Sequence, residues 1–281
     1  MRRGGVQLAA IERRRTDADH GFPFSVPCIA SLERLELDAA VTLLVGENGS
    51  GKSTFLEALA IAAELPAVGS AALGADPTLA AQRRLADRLR LTWRGRTRRG
   101  FFLRAEDFFG FQKLVARQRS EHEAELESID AEWAEASELA RTLAKGPHRS
   151  SIAGMDARYG ERPDARSHGE AFLDVFRARL RPGGLHLLDE PEAALSPQSQ
   201  LGFLAMLRDA VAEGAQFVVA THSPILMAIP GAAILSFDEP PVRRVAFSEL
   251  ESVDLVRRFL AEPERYLRLV WPAEENGASR E

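Results

Sequence analysis

The segment from Gly46 to Thr54 combines glycine, lysine and hydroxyl residues at a spacing that suits anion binding. Gly46 and Gly51 are separated by four residues, and Lys52 and Ser53 follow directly. The glycines let the backbone turn back, so that successive N–H groups point into one concavity at the start of a helix, where the helix dipole favours phosphate. We expect Lys52 to neutralise the β and γ phosphates of a nucleotide and Ser53 to coordinate the accompanying Mg²⁺ ion. The predicted phosphate-binding residues are Gly46, Glu47, Asn48, Gly49, Ser50, Gly51, Lys52, Ser53 and Thr54.

Polar residues also follow two later apolar runs. Asp189 and Glu190 come directly after Leu185 to Leu188, and His222 comes soon after Gln216 to Ala220. In an open α/β sheet the carboxyl ends of the parallel strands form the ligand-binding edge, so we expect these side chains beside the phosphate loop. Asp189 is the candidate metal residue, and Glu190 would orient or deprotonate the attacking water. Taken alone, an acidic pair or a histidine after a strand is more often structural, and the phosphate loop is what favours chemistry.

The elements that must position these residues alternate between strand and helix. Val41 to Val45 is a short apolar run typical of a buried parallel strand, and Lys52 to Glu64 carries apolar residues at helical spacing. The two later apolar runs are separated by a predicted helix from Pro197 to Ala212. Strands separated by helices predict an α/β fold with a mostly parallel sheet flanked by helices.

The middle of the chain predicts a small antiparallel edge and a helical lobe at about residues 106–180. Leu89 to Trp93 and Gly100 to Ala105 are predicted strands that would pair as a hairpin across a basic turn. Gln112 to Lys145 predicts one long helix; packing on its own domain is preferred over a seam against a partner helix, because few heptads are present. Gly146 to Gly169 is predicted to be loop, and Glu170 to Leu180 a further helix.

Composition narrows the class of protein. The 281 residues carry a formal charge of −5 and one cysteine, Cys28, which excludes an internal disulfide framework and fits a reducing compartment. The arginine-rich start has no apolar core for a signal peptide, and no apolar stretch is long enough to span a membrane, so we expect a cytoplasmic protein. We predict a flexible segment at residues 1–20, a single domain at 21–271 and a polar tail at 272–281.

Eight arginines crowd the window from Arg83 to Arg99, with Asp87 as the only acidic residue among them. Clustered arginines bind nucleic acid phosphates, so this window is a candidate DNA contact. The alternative is an arginine-rich surface without a partner, and sequence alone favours that alternative.

The chain resembles the ABC ATPase superfamily, and more closely its short bacterial members without a transporter partner, often described as AAA-family ATPases. The resemblance runs from about Phe22 to Trp271 through GENGSGKST, GFFLRAEDFF, SHGEAF, LHLLDEPEAALSPQ and FVVATHSPIL. It implies ATP and Mg²⁺ as ligands and ATP hydrolysis as the reaction. It also implies the roles of single residues: Asp189 as the Walker B aspartate, Glu190 as the catalytic glutamate, His222 as the switch histidine, and Ser167 and Gly169 as signature residues.

In such enzymes the signature segment closes on ATP held by the opposite subunit, so the resemblance implies an ATP-dependent homodimer. The chain departs from the transporter signature Leu-Ser-Gly-Gly-Gln, because residues 166–170 read Arg-Ser-His-Gly-Glu. The usual Q-loop glutamine is missing, with Glu106 as a stand-in, and Phe22 or Phe24 would stack on adenine or pack in the core. Three functions remain open: a stand-alone ATPase acting on DNA or in defence, a transporter subunit, or an ATP-dependent dimerisation switch.

Overall fold

The computed structural model describes residues 6–17, 19–68, 76–159 and 168–271. Its strands are β1 Leu8–Arg13, β2 Arg34–Glu36, β3 Val41–Val45, β4 Leu89–Trp93, β5 Gly100–Arg104, β6 Leu185–Asp189, β7 Gln216–Ala220, β8 Ala233–Ser236 and β9 Arg243–Val245. Its helices are α1 Pro27–Ser31, α2 Lys52–Ala62, α3 Ala80–Ala86, α4 Ala105–Glu132, α5 Glu138–Tyr159, α6 His168–Arg179, α7 Pro197–Ala212, α8 Pro224–Met227, α9 Glu251–Ala261 and α10 Pro263–Val270.

The central sheet has the strand order β5-β6-β7-β3-β8-β9 in the described part of the chain. Its neighbours pair in parallel, except that β9 runs antiparallel to β8. Every residue of β3, β6 and β7 is buried, which explains their mostly apolar sequences. The predicted α/β fold with a mostly parallel sheet is confirmed.

The sheet separates two apolar clusters, because alternate residues of each strand point to opposite faces. On β7, Phe217 and Val219 join one cluster, while Val218 and Ala220 join the other. The first cluster contains the phenylalanines Phe101, Phe108, Phe172, Phe176, Phe203 and Phe217, and the second contains Phe55, Phe102 and Phe237. Helices α6 and α7 contribute to the first cluster and α2 to the second, so the sheet is covered on both faces.

The predicted hairpin of β4 and β5 is wrong. β4 instead pairs antiparallel with β1 in a separate sheet of order β2-β1-β4, and β5 pairs in parallel with β6. The reason is burial: Phe101, Phe102 and Leu103 of β5 are buried on both faces, whereas β4 alternates between exposed and half-buried residues. A strand that is apolar on both faces gains more at the central sheet than in an exposed ribbon.

The prediction of a flexible segment at residues 1–20 is also wrong over β1. Leu8, Ala10 and Ile11 are buried there. The side chain of Gln216 joins β1 to the central sheet: its Oε1 accepts hydrogen bonds from the backbone N–H groups of Gln7 and Leu8, both at 2.8 Å, and its Nε2 donates to the carbonyl of Leu8 at 2.9 Å.

The single long helix predicted from Gln112 to Lys145 is in fact a pair, α4 and α5, which run antiparallel. Arg119 of α4 pairs with Asp156 of α5, and Lys145 of α5 pairs with Asp130 of α4. The two helices therefore pack on each other within one chain, although Trp133 and Leu143 of the predicted apolar spacing are exposed. The loop predicted from residue 146 onward is helical as far as Tyr159, while residues 160–167 lie outside the described ranges.

In the ranges that the structure describes, no helix combines the length and apolar character needed to cross a membrane. The polar tail at 272–281 lies outside them. The division into one domain at 21–271 stays a prediction.

Candidate functional site

The phosphate loop joins the end of β3 to the start of α2. Gly46, Gly49 and Gly51 have φ angles of 144°, 82° and 99°, which disfavour any residue with a Cβ. At Gly51 a Cβ would also approach Cγ1 of Val26 to 2.9 Å. The glycines are therefore required by the turn itself, and the turn presents backbone N–H groups at the start of α2.

Lys52 lies inside this loop. Its side chain is 4% exposed, and its Nζ donates hydrogen bonds to the carbonyls of Gly46 at 2.6 Å and Glu47 at 2.9 Å. Burial lowers the pKa of Lys52, and the negative charges of Glu190 and Asp189 oppose that shift. The ammonium is held at the loop, where it can exchange its carbonyl partners for phosphate oxygens.

Asp189 faces the first turn of α2. The Ser53 hydroxyl donates a hydrogen bond of 3.0 Å to Oδ1 of Asp189, whose residue is 3% exposed. Burial raises the pKa of Asp189 to about 6, opposed by the Ser53 hydrogen bond and the charge of Arg104. A hydroxyl and a buried carboxylate supply the hard oxygen ligands that Mg²⁺ prefers, so these residues fit the ion.

Glu190 and His222 lie together at the same sheet edge. Glu190 has φ 48° and ψ 50°, a left-handed conformation that ends the extended backbone of β6. Its side chain therefore points in a different direction from that of Asp189. Its Oε1 lies 3.6 Å from Nε2 of His222. These side chains are 41% and 38% exposed respectively, so both are open to a ligand or a partner.

Glu192 organises the segment around His222, and the sequence alone does not reveal it. Its Oε1 accepts hydrogen bonds from the Thr221 hydroxyl at 2.8 Å and from the backbone N–H groups of His222 at 2.6 Å and Ser223 at 3.1 Å. Its Oε2 is buried without a hydrogen-bond partner among the described residues. The sequence shows Glu192 only as the third acidic residue of the run DEPE, and this spacing does not predict its contact with the His222 segment.

Arg104 is a second site residue that sequence reasoning misses. It is the last residue of β5, in register with Asp189 of β6, and its Nε lies 3.9 Å from Oδ2 of Asp189. The same guanidinium forms ion pairs with Glu57 and with Asp107 of α4. Glu106, the predicted stand-in for the Q-loop glutamine, is exposed instead. The detectable signal is an arginine that ends an otherwise apolar strand.

A known protein family matches the chain over the residues of this site. The family model, described as "AAA domain, putative AbiEii toxin, Type IV TA system", matches residues 41–152 and 171–228, together more than half of the chain. The chain belongs to this family. The matched ranges include the phosphate loop, Asp189, Glu190 and His222.

Several curated proteins similar to this chain carry the name ATP-binding/permease protein. The macrolide export ATP-binding/permease protein MacB of Burkholderia thailandensis is 29% identical over 224 residues, covering 77% of this chain and 30% of the relative. The pyoverdine export ATP-binding/permease protein PvdT of Pseudomonas entomophila is 30% identical over 180 residues, covering 64% of this chain and 25% of the relative. The chain thus spans less than a third of their length, and these matches support an ATP-binding domain of the ABC type.

Among solved structures, the Smc head domain of Pyrococcus furiosus covers 92% of this chain and 99% of its own, at a TM-score of 0.43 and 12% identity. The protein cbiO1 of Clostridium perfringens, part of an ABC transporter complex, covers 95% and 99% at a TM-score of 0.43 and 14% identity. Both scores lie below 0.5, so the fold assignment rests on the strand order and the phosphate loop.

Of the two predicted signature residues, Ser167 lies outside the described ranges. Gly169 lies in the first turn of α6 against the turn that follows Glu190, because a Cβ there would come within 3.4 Å of the carbonyl of Ala194. Gly169 therefore packs against the turn that follows Glu190 of its own chain.

The two phenylalanines considered for adenine stacking, Phe22 and Phe24, differ in exposure. Phe22 is 51% exposed and lines a cleft of about 160 Å³ together with Asn48, Thr54 and Glu190. Phe24 is 5% exposed, and Arg84 stacks over its ring at 5.3 Å. Of the two rings, Phe22 borders the cleft, whereas Phe24 is packed in the interior.

Three arginines of the Arg83 to Arg99 window form structural contacts. Arg83 donates to the carbonyl of Asp76, Arg84 donates to the carbonyls of Phe22 and His20, and Arg88 forms an ion pair with Asp19 at 3.1 Å. The charge of these three side chains is already directed at the protein. The structure offers no support for a DNA contact through them.

We expect Asp189→Asn to raise stability when no metal is present. The pKa of Asp189 rises from an ordinary 3.8 to about 6 in the folded protein, so the folded state binds the extra proton in that window. Stability from this group is therefore present below pH 3.8 and is lost as the pH rises through about 6. At pH 7.5 in EDTA the amide should raise the free energy of unfolding by about 2 to 3 kcal/mol, and the slope between about pH 4 and 6 should flatten.

Urea unfolding at a series of pH values measures this effect, with the exposed Asp209→Asn as the matched control. An asparagine variant no more stable than wild type in EDTA at neutral pH would show that Ser53 and Arg104 fully compensate the buried carboxylate.

Proposed function

We propose that this chain binds ATP with Mg²⁺ and hydrolyses it to ADP and phosphate. The observation that carries the proposal is the 3.0 Å hydrogen bond between Ser53 and Asp189, which joins the phosphate loop to a buried carboxylate beside Glu190 and His222. Phosphoryl transfer requires a phosphate cradle, metal ligands and a group that handles the water, and one sheet edge holds residues suited to each task.

In the proposed mechanism the loop N–H groups and Lys52 hold the β and γ phosphates. Ser53 and Asp189 would hold Mg²⁺, which supplies neutralisation of charge on the phosphate oxygens. Glu190, partly exposed and turned away from Asp189, orients the attacking water and accepts its proton. His222 contacts the γ-phosphate from the neighbouring strand, and Glu192 positions it by holding its backbone N–H. Phe22 supports the base at the mouth of the cleft.

The proposal includes a homodimer formed around ATP, in which Ser167 and Gly169 of each copy meet the nucleotide of the other. Glu190 and His222 are more than a third exposed, which leaves this edge accessible to a second subunit. The resemblance to ABC enzymes is the remaining support.

For the cellular role we propose a stand-alone cytoplasmic ATPase that acts on DNA or in defence, and the family description points towards defence. DNA would be contacted by arginines of the Arg83 to Arg99 window other than Arg83, Arg84 and Arg88. Among these, Arg96 and Arg98 lie 3.5 and 3.9 Å from Glu64 but are exposed. The alternative is the ATP-binding subunit of a transporter, favoured by the names of the permease relatives. A dimerisation switch with little turnover is the third possibility.

Lys52→Ala tests nucleotide binding directly. Removing the ammonium should weaken binding of ATP by about 10- to 100-fold, because a charge-assisted contact to phosphate contributes about 1.5 to 3 kcal/mol. Calorimetric titration with ATP in Mg²⁺ and in EDTA measures the change. Lys113→Ala, on the exposed surface of α4, is the matched control and should bind as wild type does. Equal affinity of the two variants would refute the assignment of the phosphate loop.

A further inference from the structure

Helices α9 and α10 expose an apolar surface at the end of the described chain. Apolar residues of α9 recur at positions 255, 256, 259 and 260, and the same spacing returns at 266, 267, 270 and 271 on α10 and its cap. This spacing places each set on one stripe of its helix. The exposed members, which we call the terminal patch, are Leu255, Val256, Phe259, Leu260, Leu267, Val270 and Trp271.

The terminal patch is held in place by the rest of the domain. Val253, which shares a face of α9 with Val256 and Leu260, is 6% exposed and belongs to the core cluster, as does Leu250 just before the helix. Phe259 packs edge-on against Tyr266 with ring centroids 5.8 Å apart, which fixes α10 against α9. The two helices therefore form a supported pair whose apolar surface is covered by the core at Val253 and exposed at Val256 and Leu260.

The segments outside the described ranges are poor candidates to cover the terminal patch. Residues 272–281 read PAEENGASRE, and 160–167 read GERPDARS, without a single large apolar side chain, while 1–5 and 69–75 contribute only Met1 and Leu73. Trp271 is 82% exposed, Val270 76% and Leu260 71%. Exposed apolar patches larger than a few hundred Å² are rare on monomers and mark interaction surfaces.

The charges around the terminal patch decide what kind of occupant fits. Four acidic and four basic residues lie between Glu251 and Trp271, so this segment has no net charge. The basic residues have acidic neighbours in the same segment: Arg257 and Arg258 pair with Asp254, Arg265 with Glu262, and Arg268 with Glu264. An anionic lipid surface or a nucleic acid would select a net positive face, whereas this segment is neutral. A surface with an equally neutral rim meets no like-charge penalty.

We propose that the terminal patch is a contact between two copies of this chain that forms without nucleotide. A two-fold axis would place the same apolar stripes against one another, which is the commonest arrangement of homodimers. Aromatic and aliphatic residues at its centre and charge pairs at its rim match the usual anatomy of such interfaces. This contact is separate from the ATP-dependent dimer proposed above and does not rest on it.

The test is the oligomeric state of the full chain in EDTA without nucleotide, measured by size-exclusion chromatography with light scattering. Wild type should be a dimer at micromolar concentration. Leu260→Glu combined with Val270→Glu should raise the dimer dissociation constant at least about 100-fold, because two charges per copy would be buried without partners. Leu143→Glu, an equally exposed leucine on α5, should leave the dimer intact.

A cross-linking variant keeps the proposal testable if the glutamates disturb folding. Cys28 is buried, so Val270→Cys supplies the accessible thiol for a short bismaleimide linker. A covalent dimer is expected from Val270→Cys and none from Leu143→Cys. A monomeric wild type without cross-linked product overturns the proposal. So does a wild type that is monomeric alone but sediments with neutral phosphatidylcholine vesicles, which would assign the patch to a lipid surface. Because no nucleotide is added, failure here leaves the ATP-dependent dimer untouched.

Discussion

Glu190→Gln should lower the rate of phosphate release from ATP by about 10²- to 10⁴-fold and leave ATP binding intact. The amide keeps the size of the side chain but cannot accept the proton of the attacking water. The substitution should leave the expected phosphate and Mg²⁺ contacts of Lys52 and Ser53 unchanged. The described hydrogen bonds of these two side chains go to the phosphate loop and to Asp189, and none goes to Glu190. ATP should therefore remain bound, and in Mg²⁺ the variant should accumulate as an ATP-bound dimer.

Phosphate release and light scattering on the same samples, with Mg²⁺ and with EDTA, measure both effects. Glu213→Gln, exposed at the end of α7, is the matched control and should turn over normally. If wild type binds ATP and dimerises but releases phosphate no faster than Glu190→Gln, the chain is a nucleotide-dependent dimerisation switch. If neither protein hydrolyses ATP or dimerises around it, the domain needs a partner for catalysis.

Gly100→Ala should strongly destabilise the fold. Gly100 begins β5 at φ 130°, and an added Cβ would lie 1.8 Å from the carbonyl oxygen of Leu185 on the neighbouring strand. Relief of that overlap requires β5 to move away from β6, which breaks parallel pairing. We expect a loss of at least about 4 kcal/mol in the free energy of unfolding, and displacement of Arg104 from Asp189 in any folded remainder.

Thermal and urea unfolding measure the loss. Gly202→Ala is the matched control: it lies on the exposed side of α7 with no described atom within 4 Å of the added methyl, so it should gain about 0.5 to 1 kcal/mol. Similar stabilities for the two variants would mean that β5 is not anchored against β6 as the structure has it.

Local sequence patterns predict an element correctly where the residues of that segment alone determine its structure. The buried strands β3, β6 and β7 can be predicted because they are short, mostly apolar runs. The phosphate loop can be predicted because its turn requires its glycines. The partners of β4 and β5 are not readable, because periodicity reports which face of a strand is buried and is silent on which distant strand pairs with it. β1 is not predicted for the same reason, because its short apolar run is held in place by contacts with the distant Gln216.

The contacts of Arg104 and Glu192 show a similar limit within the candidate site. Each is one polar residue among many, and partners such as Glu57 for Arg104 and Thr221 for Glu192 lie far away in the chain. Only the register of the parallel sheet brings Arg104 level with Asp189. The spacing from Gln112 onward predicts helix correctly. The break after Glu132 is not predictable, because no proline or glycine marks it.

Helix α4 would convert a small motion at the proposed nucleotide site into a larger one at its far end. It begins directly after Arg104, and its 28 residues extend for about 42 Å at the usual rise per residue. A tilt of about 10° at its base would sweep its far end, with the turn at Trp133, through about 7 Å. The α4–α5 pair would thus amplify a movement that begins beside Asp189. A displacement too small to detect at the carboxylate would be measurable by a spectroscopic probe attached near Trp133.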